Sequence, residues 1–152
     1  MRIIGITGSL ASGKTSASKI LSARRWPLFN ADSVVKKLYK RLNFQKLIKK
    51  KLNLKNYSSI KKEIIKKILQ NNSNIKKIEK IIHPFVRKEM KIFLKKNRGK
   101  KFIFLEIPLL IENNLMNYFD VVIFIKASKD LRLKRFKFKG GTKKLFNILN
   151  NK

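Results

Sequence analysis

One octapeptide near the amino terminus constrains this chain more than any other segment. Gly8-Ser9-Leu10-Ala11-Ser12-Gly13-Lys14-Thr15 fits the spacing G-x-x-x-x-G-K-[ST]. Each residue type in it has a physical task. Gly8 and Gly13 permit backbone angles that side chains disfavour and let the main chain come close to a ligand. The N–H groups of such a loop turn inward as an anion nest, and a helix that starts at its end adds the positive end of its dipole. Lys14 is placed to reach the outer phosphates of a nucleoside triphosphate, and the Thr15 hydroxyl to ligate Mg²⁺. Gly8, Ala11, Ser12, Gly13, Lys14, Thr15 and Ser16 are therefore the expected nucleotide-binding residues.

The flanks support the motif. Arg2 to Thr7 reads as a short buried strand, and Lys14 to Ala23 as a helix with Ala17, Ile20 and Leu21 on its apolar face. Pro27 to Asn30 reads as a second strand, with a helix starting near Asp32 or Ser33 and carrying Val34, Val35, Leu38 and Leu42 as its stripe. Residues 43–99 are lysine-rich with helical spacing: Ile60, Ile64, Ile65, Ile68 and Leu69 in one run, Ile75, Ile78, Ile81 and Ile82 in the next. Asn71 to Asn74 separates the two runs, and His83-Pro84 predicts a second break, because a residue before proline avoids the α region. Phe102 to Glu106 and Asp120 to Ile125 are two further buried strands. Ser128 caps a helix from Lys129 to about Phe138, Gly140-Gly141 ends it, and Thr142 to Leu149 begins another. Apolar runs that alternate with helices predict an α/β fold with a parallel sheet of four or five strands, covered on both faces. The expected organisation is a single domain, 1–152. Its core is 1–42 and 100–130, its helical insert 43–99, and its lid 131–142.

Composition sets outer limits. The chain has 152 residues, with 39 Lys plus Arg against 8 Asp plus Glu, a formal net charge of +31. A surface of that sign attracts polyanions in general. The lysines are spread from Lys14 to Lys152, no aromatic-interleaved RNA motif or helix-turn-helix signature is present, and nucleic acid is not the favoured partner. The absence of cysteine excludes disulfides and thiolate metal sites and fits a cytoplasmic location. The start is not a signal peptide, no apolar run is long enough to span a bilayer, and a membrane role is not expected.

With so few acidic residues, each is worth a question. Asp32 lies at the carboxyl end of the second strand, the edge that faces the ligand crevice in an open parallel sheet. It could take a proton from an acceptor hydroxyl, or simply cap the next helix. Glu106, at another strand end, could reach Mg²⁺ through water or pair with a neighbouring lysine.

Five segments, in order along nearly the whole chain, resemble the dephospho-coenzyme A kinase family. They are the Ile6–Thr15 loop; Asn30-Ala31-Asp32, where the family has Asp-Ala-Asp; His83-Pro84 with Arg87; Pro108-Leu109-Leu110-Ile111-Glu112; and Asp120-Val121-Val122 followed by Leu133-Lys134-Arg135. The resemblance implies a three-layer P-loop fold and transfer of the γ-phosphate of ATP to the ribose 3′-hydroxyl of dephospho-coenzyme A. It implies Asp32 as base, Lys14 and Arg135 on the transferring phosphate, and His83, Arg87, Pro108, Leu109 and Glu112 with Asp32 on the acceptor. Lys139 stands where the family's lid often has arginine, Lys61 replaces an arginine in the insert, and Trp26-Pro27 replaces a Gly-containing turn. Family members also continue for about a quarter of a domain length beyond Lys152, with a last strand, a helix and contacts near the adenine. Other acceptors of the same chemistry, nucleosides and nucleotides, are the rival substrates, and a basic nucleic-acid-binding protein with a relic loop is the rival class.

Overall fold

The computed structural model describes residues 1–54, 59–108 and 116–150. Four strands form one parallel sheet: β1 (Arg2–Gly8), β2 (Leu28–Asn30), β3 (Phe102–Glu106) and β4 (Val121–Ile125), in the order β2-β3-β1-β4. β1 and β3 are the two inner strands, each paired on both sides. Ile6 pairs with Glu106 of β3 and Ile123 of β4, while Asn30 of β2 pairs with Glu106. All four carboxyl ends therefore point to one edge, and they bring Gly8, Asn30, Glu106 and Ile125 there. At the opposite edge Asp120 clamps β1: the Ile3 N–H donates to its Oδ2 at 2.6 Å, and its own N–H donates to the Ile3 carbonyl at 2.9 Å.

Among the described residues seven α-helices accompany the sheet: α1 (Lys14–Leu21), α2 (Ala31–Leu38), α3 (Leu42–Leu52), α4 (Ile60–Gln70), α5 (Asn74–Lys96), α6 (Lys129–Phe138) and α7 (Lys143–Asn150). Two compact units result, Met1–Asp32 with Met90–Lys152, and Ser33–Glu89. The first holds the sheet. Ile6, Ile103 and Leu105 are fully buried, Phe29 packs on Phe93, and Trp26 meets Phe102 edge to face. The second is helical, with Phe44, Ile48, Ile60, Ile64, Ile68, Ile75, Ile78 and Ile82 as its core. Phe44 bridges Tyr39 and Phe85, and burial pushes the Tyr39 hydroxyl pKa above its usual value. Asn71 Oδ1 accepts from the Ser73 N–H, and Asn74 Nδ2 donates to the Lys67 carbonyl, so the break between the two isoleucine runs closes on its own side chains.

Three expectations need correction. The helix does not break at His83-Pro84: α5 runs unbroken for 23 residues with Pro84 inside it. Proline removes one helical hydrogen bond and costs about 3 kcal/mol. Burial of Ile75, Ile78 and Ile82 on one side returns about 1.5–3 kcal/mol each and outweighs that loss. The helix after β2 starts at Ala31, one residue early, and Leu42 belongs to α3 and is exposed. The third concerns α1. Ile20 and Leu21 are exposed, and the buried row is Lys14, Ser18 and Ser22, at i, i+4 and i+8. Serines fit there because each hydroxyl has a backbone acceptor one turn back, Ser18 at the Thr15 carbonyl and Ser22 at the Lys19 carbonyl. The turn before β2, which lacks glycine, is carried instead by Ala23 and Arg24 in the left-handed region, φ 50° and 52°. The capping expectation for Ser128 holds, its Oγ accepting from the Leu131 N–H, and in the last helix Thr142 Oγ1 accepts from the Leu145 N–H.

This inverted burial of α1 is checkable by urea unfolding. Ile20→Ser is expected to change stability by no more than about 0.5 kcal/mol, whereas Ile103→Ala, in the centre of the sheet, should cost about 2–5 kcal/mol.

Candidate active site

β1 ends at Gly8 with φ 145°, and a Cβ there would lie 2.3 Å from the Ile125 carbonyl oxygen of β4. Only glycine lets the chain leave the sheet at this point. The loop then uses two more left-handed residues, Ala11 (φ 58°) and Gly13 (φ 102°), before α1 begins at Lys14. Gly13 has no side chain with which to cap the helix, and no side chain takes the first amides of α1 from a ligand.

Four carbonyls of the loop are bonded by cations. Lys14 Nζ donates to the Gly8 and Ser9 carbonyls, each at 2.8 Å. Arg135 Nη1, from α6, donates to the Ser12 carbonyl at 2.9 Å and lies over Gly13. Arg132, one turn earlier and buried, donates to the Leu10 carbonyl at 3.4 Å, to the Ala127 carbonyl and to Asn150 Oδ1, with its guanidinium over Phe146. Within the loop, Ser12 N–H to the Ser9 carbonyl is the one main-chain bond among the described residues. The buried Ser12 hydroxyl oxygen has no hydrogen-bond partner in this structure, which a phosphate oxygen would supply. The loop thus fits a nucleotide's phosphate chain.

Behind the loop sits a carboxylate. Glu106, at the end of β3, is 1% exposed, and both of its oxygens are used. Oε1 accepts from the Thr15 hydroxyl at 2.7 Å, and Oε2 accepts from the Ser18 hydroxyl at 2.9 Å and from the Asn30 Nδ2 amide. The lysine pairing considered for Glu106 is not what the structure shows. The carboxylate is solvated by three neutral donors and holds the Thr15 proton inward, which leaves the oxygen lone pairs of Thr15 available to a hard cation.

A cavity of about 270 Å³ opens over the loop. Thr7, Gly8, Leu10, Lys14, Asp32 and Pro108 are among its lining residues, so the loop and Asp32 face one space. Asp32 is exposed and lies in the first turn of α2. Thr15 and Ser16 are exposed at the start of α1. His83 and Arg87 are one turn apart on α5 in the helical unit, His83 half-buried and Arg87 exposed. Leu109 and Glu112 lie outside the described residues.

Sequence reasoning missed Ser18 and the part played by Asn30, and it left Glu106 undecided. Ser18 lies one turn beyond Thr15, and Asn30 and Glu106 end neighbouring strands, so the sheet order carries the signal and the linear pattern does not. Arg132 left no signal, being one basic residue among 39.

Residues 2–145 match the family model described as dephospho-CoA kinase. The dephospho-CoA kinase of Rickettsia prowazekii is 40% identical over 136 residues, covering 89% of this chain and 70% of that protein. A solved structure from Thermus thermophilus superposes with a TM-score of 0.77 at 22% identity, covering 99% of this chain and 78% of the other. The dephospho-CoA kinase from Campylobacter jejuni superposes with a TM-score of 0.53 at 19% identity, over 91% and 96% of the two chains. These structures share the fold of P-loop kinases, and with the sequence match over almost its full length the chain belongs to the dephospho-CoA kinase family.

Proposed function

We propose that this protein phosphorylates the ribose 3′-hydroxyl of dephospho-coenzyme A with ATP, giving coenzyme A and ADP. The observation that carries the reading is the shared cavity, in which the carboxylate of Asp32 faces the same space as the phosphate-binding loop. Transfer requires a hydroxyl oxygen in line with the γ-phosphorus. As the new O–P bond forms, the bond from the γ-phosphorus to the β–γ bridging oxygen breaks and ADP leaves. The hydroxyl proton goes to Asp32, which orients the acceptor.

The remaining work is electrostatic. Lys14 and the amides between Ser9 and Thr15 stabilise the charge of the β- and γ-phosphates. Arg135, already bonded to the loop through the Ser12 carbonyl, brings a guanidinium to the phosphate side. Gly8, Ala11, Ser12, Gly13 and Ser16 supply close backbone approach and hydroxyls. Mg²⁺, supplied with the nucleotide, would neutralise phosphate charge, and Thr15 Oγ1 is the protein oxygen placed to hold it. Among the described residues no cluster of three or more His, Cys, Asp or Glu could hold a metal ion, so phosphate oxygens and water complete its shell. His83 and Arg87 on α5, with Pro108, Leu109 and Glu112, keep the acceptor-binding role the family resemblance implies. The acceptor is a small molecule, and among the described residues no helix is long and apolar enough to cross a membrane. A cytoplasmic location is consistent with this reading.

The direct test incubates the protein with MgATP and dephospho-coenzyme A and looks for coenzyme A by mass, with a panel of nucleosides and nucleotides alongside; phosphate carried to a nucleoside but not to dephospho-coenzyme A would overturn the proposal. Asp32→Asn is expected to lower kcat by about 10²–10⁴-fold with little change in ATP affinity. Gly8→Ala should abolish ADP binding by calorimetry, because the added methyl meets the Ile125 carbonyl at 2.3 Å on a backbone with φ 145°. Retained binding in that variant would contradict the loop geometry.

A further inference from the structure

Asn30 ends β2, two residues before Asp32, and its side chain meets the buried Glu106. The two residues are register partners at the carboxyl ends of β2 and β3, so their side chains leave the sheet side by side. Glu106 Oε2 already takes the Ser18 hydroxyl, and the Asn30 amide adds a second donor to the same oxygen. With Oε2 held from two directions, the carboxylate cannot rotate, and Oε1 is aimed at the Thr15 hydroxyl at 2.7 Å. An aspartate at position 30 would instead put a second anion against a carboxylate that is 1% exposed and is held by three neutral groups, the Thr15 and Ser18 hydroxyls and the Asn30 amide.

We propose that Asn30 is a positioning residue for phosphoryl transfer: its amide locks the Glu106 carboxylate, which turns the Thr15 hydroxyl proton inward and its lone pairs toward the metal–nucleotide complex. The chain thus carries one buried carboxylate and one amide at these strand ends, and the two positions are coupled. The inference rests on the proposed kinase reaction for its effect on turnover, but its effect on metal binding is independent of the acceptor.

The test measures Mn²⁺ affinity of the ADP complex by electron paramagnetic resonance, ADP affinity in EDTA by calorimetry, and kcat. Asn30→Ala is expected to weaken Mn²⁺ binding and lower kcat by about 10–100-fold while metal-free ADP affinity stays within about twofold. Asn30→Asp should fall at least as far. The exchanged pair Asn30→Asp with Glu106→Gln, which restores one carboxylate and one amide, should recover about tenfold of the Mn²⁺ affinity lost in Asn30→Asp. Wild-type Mn²⁺ affinity in Asn30→Ala overturns the proposal, as does a parallel loss of metal-free ADP affinity, or an exchanged pair no better than Asn30→Asp. Should Asn30→Ala fail to fold, Asn30→Ser, which keeps a donor, decides: Mn²⁺ affinity within about tenfold of wild type supports the assignment, and failure to fold overturns it. If the wild-type protein makes no coenzyme A, the kinase reading fails while the Mn²⁺ series still judges Asn30.

Discussion

A buried carboxylate that accepts three neutral donors is the constraint around which the first unit is arranged. Taking Glu106 out of water is expensive unless its lone pairs are satisfied. Satisfying them requires Thr15 and Ser18 from α1 and Asn30 from β2 at one point. That requirement explains why α1 lays a polar row against the sheet and leaves Ile20 and Leu21 outside. It also orients α1 so that its amino-terminal amides meet the loop. The carboxylate is less a stabilising element in itself than a specification of which faces must come together.

The loop is held in the same way from the other side. Lys14, Arg132 and Arg135 each bind a loop carbonyl, so the course of the loop is fixed before any nucleotide arrives. Preorganised donors need no rearrangement when charge develops, and this is where such sites gain most over water. Arg132 is placed to serve that shape from behind. It is buried, bonded to Asn150 and stacked over Phe146, whereas Arg135 is exposed.

Much of this was legible in the linear chain, for identifiable reasons. The glycines of the loop mark backbone angles, the apolar runs of β1, β3 and β4 mark buried strands, and Ser128 marks a helix start, because each is a local requirement that local chemistry must meet. The failures have a common cause. Pro84 predicts a break because the cost of proline is local, whereas the isoleucine packing that offsets it is not. Ile20 and Leu21 predict a core face because hydrophobic spacing says which residues could share a face, not which face the site claims. The roles of Asn30 and Ser18 depend on strand order, which no window of the sequence contains. The compact units divide at Asp32/Ser33 and Glu89/Met90, inside α2 and α5, at places no local pattern marks.

The central place of β1 in the sheet has a consequence for how the molecule is made. β1 finds its partners only at residues 102–106 and 121–125. Pairing across that span closes a long loop at an entropic penalty and is slow. The Ser33–Glu89 helices depend mainly on near neighbours in sequence and can condense while the rest is still being translated. Until β3 and β4 emerge, Ile3, Ile4 and Ile6 have no sheet to join, and β1 is an apolar segment at risk of capture by other chains.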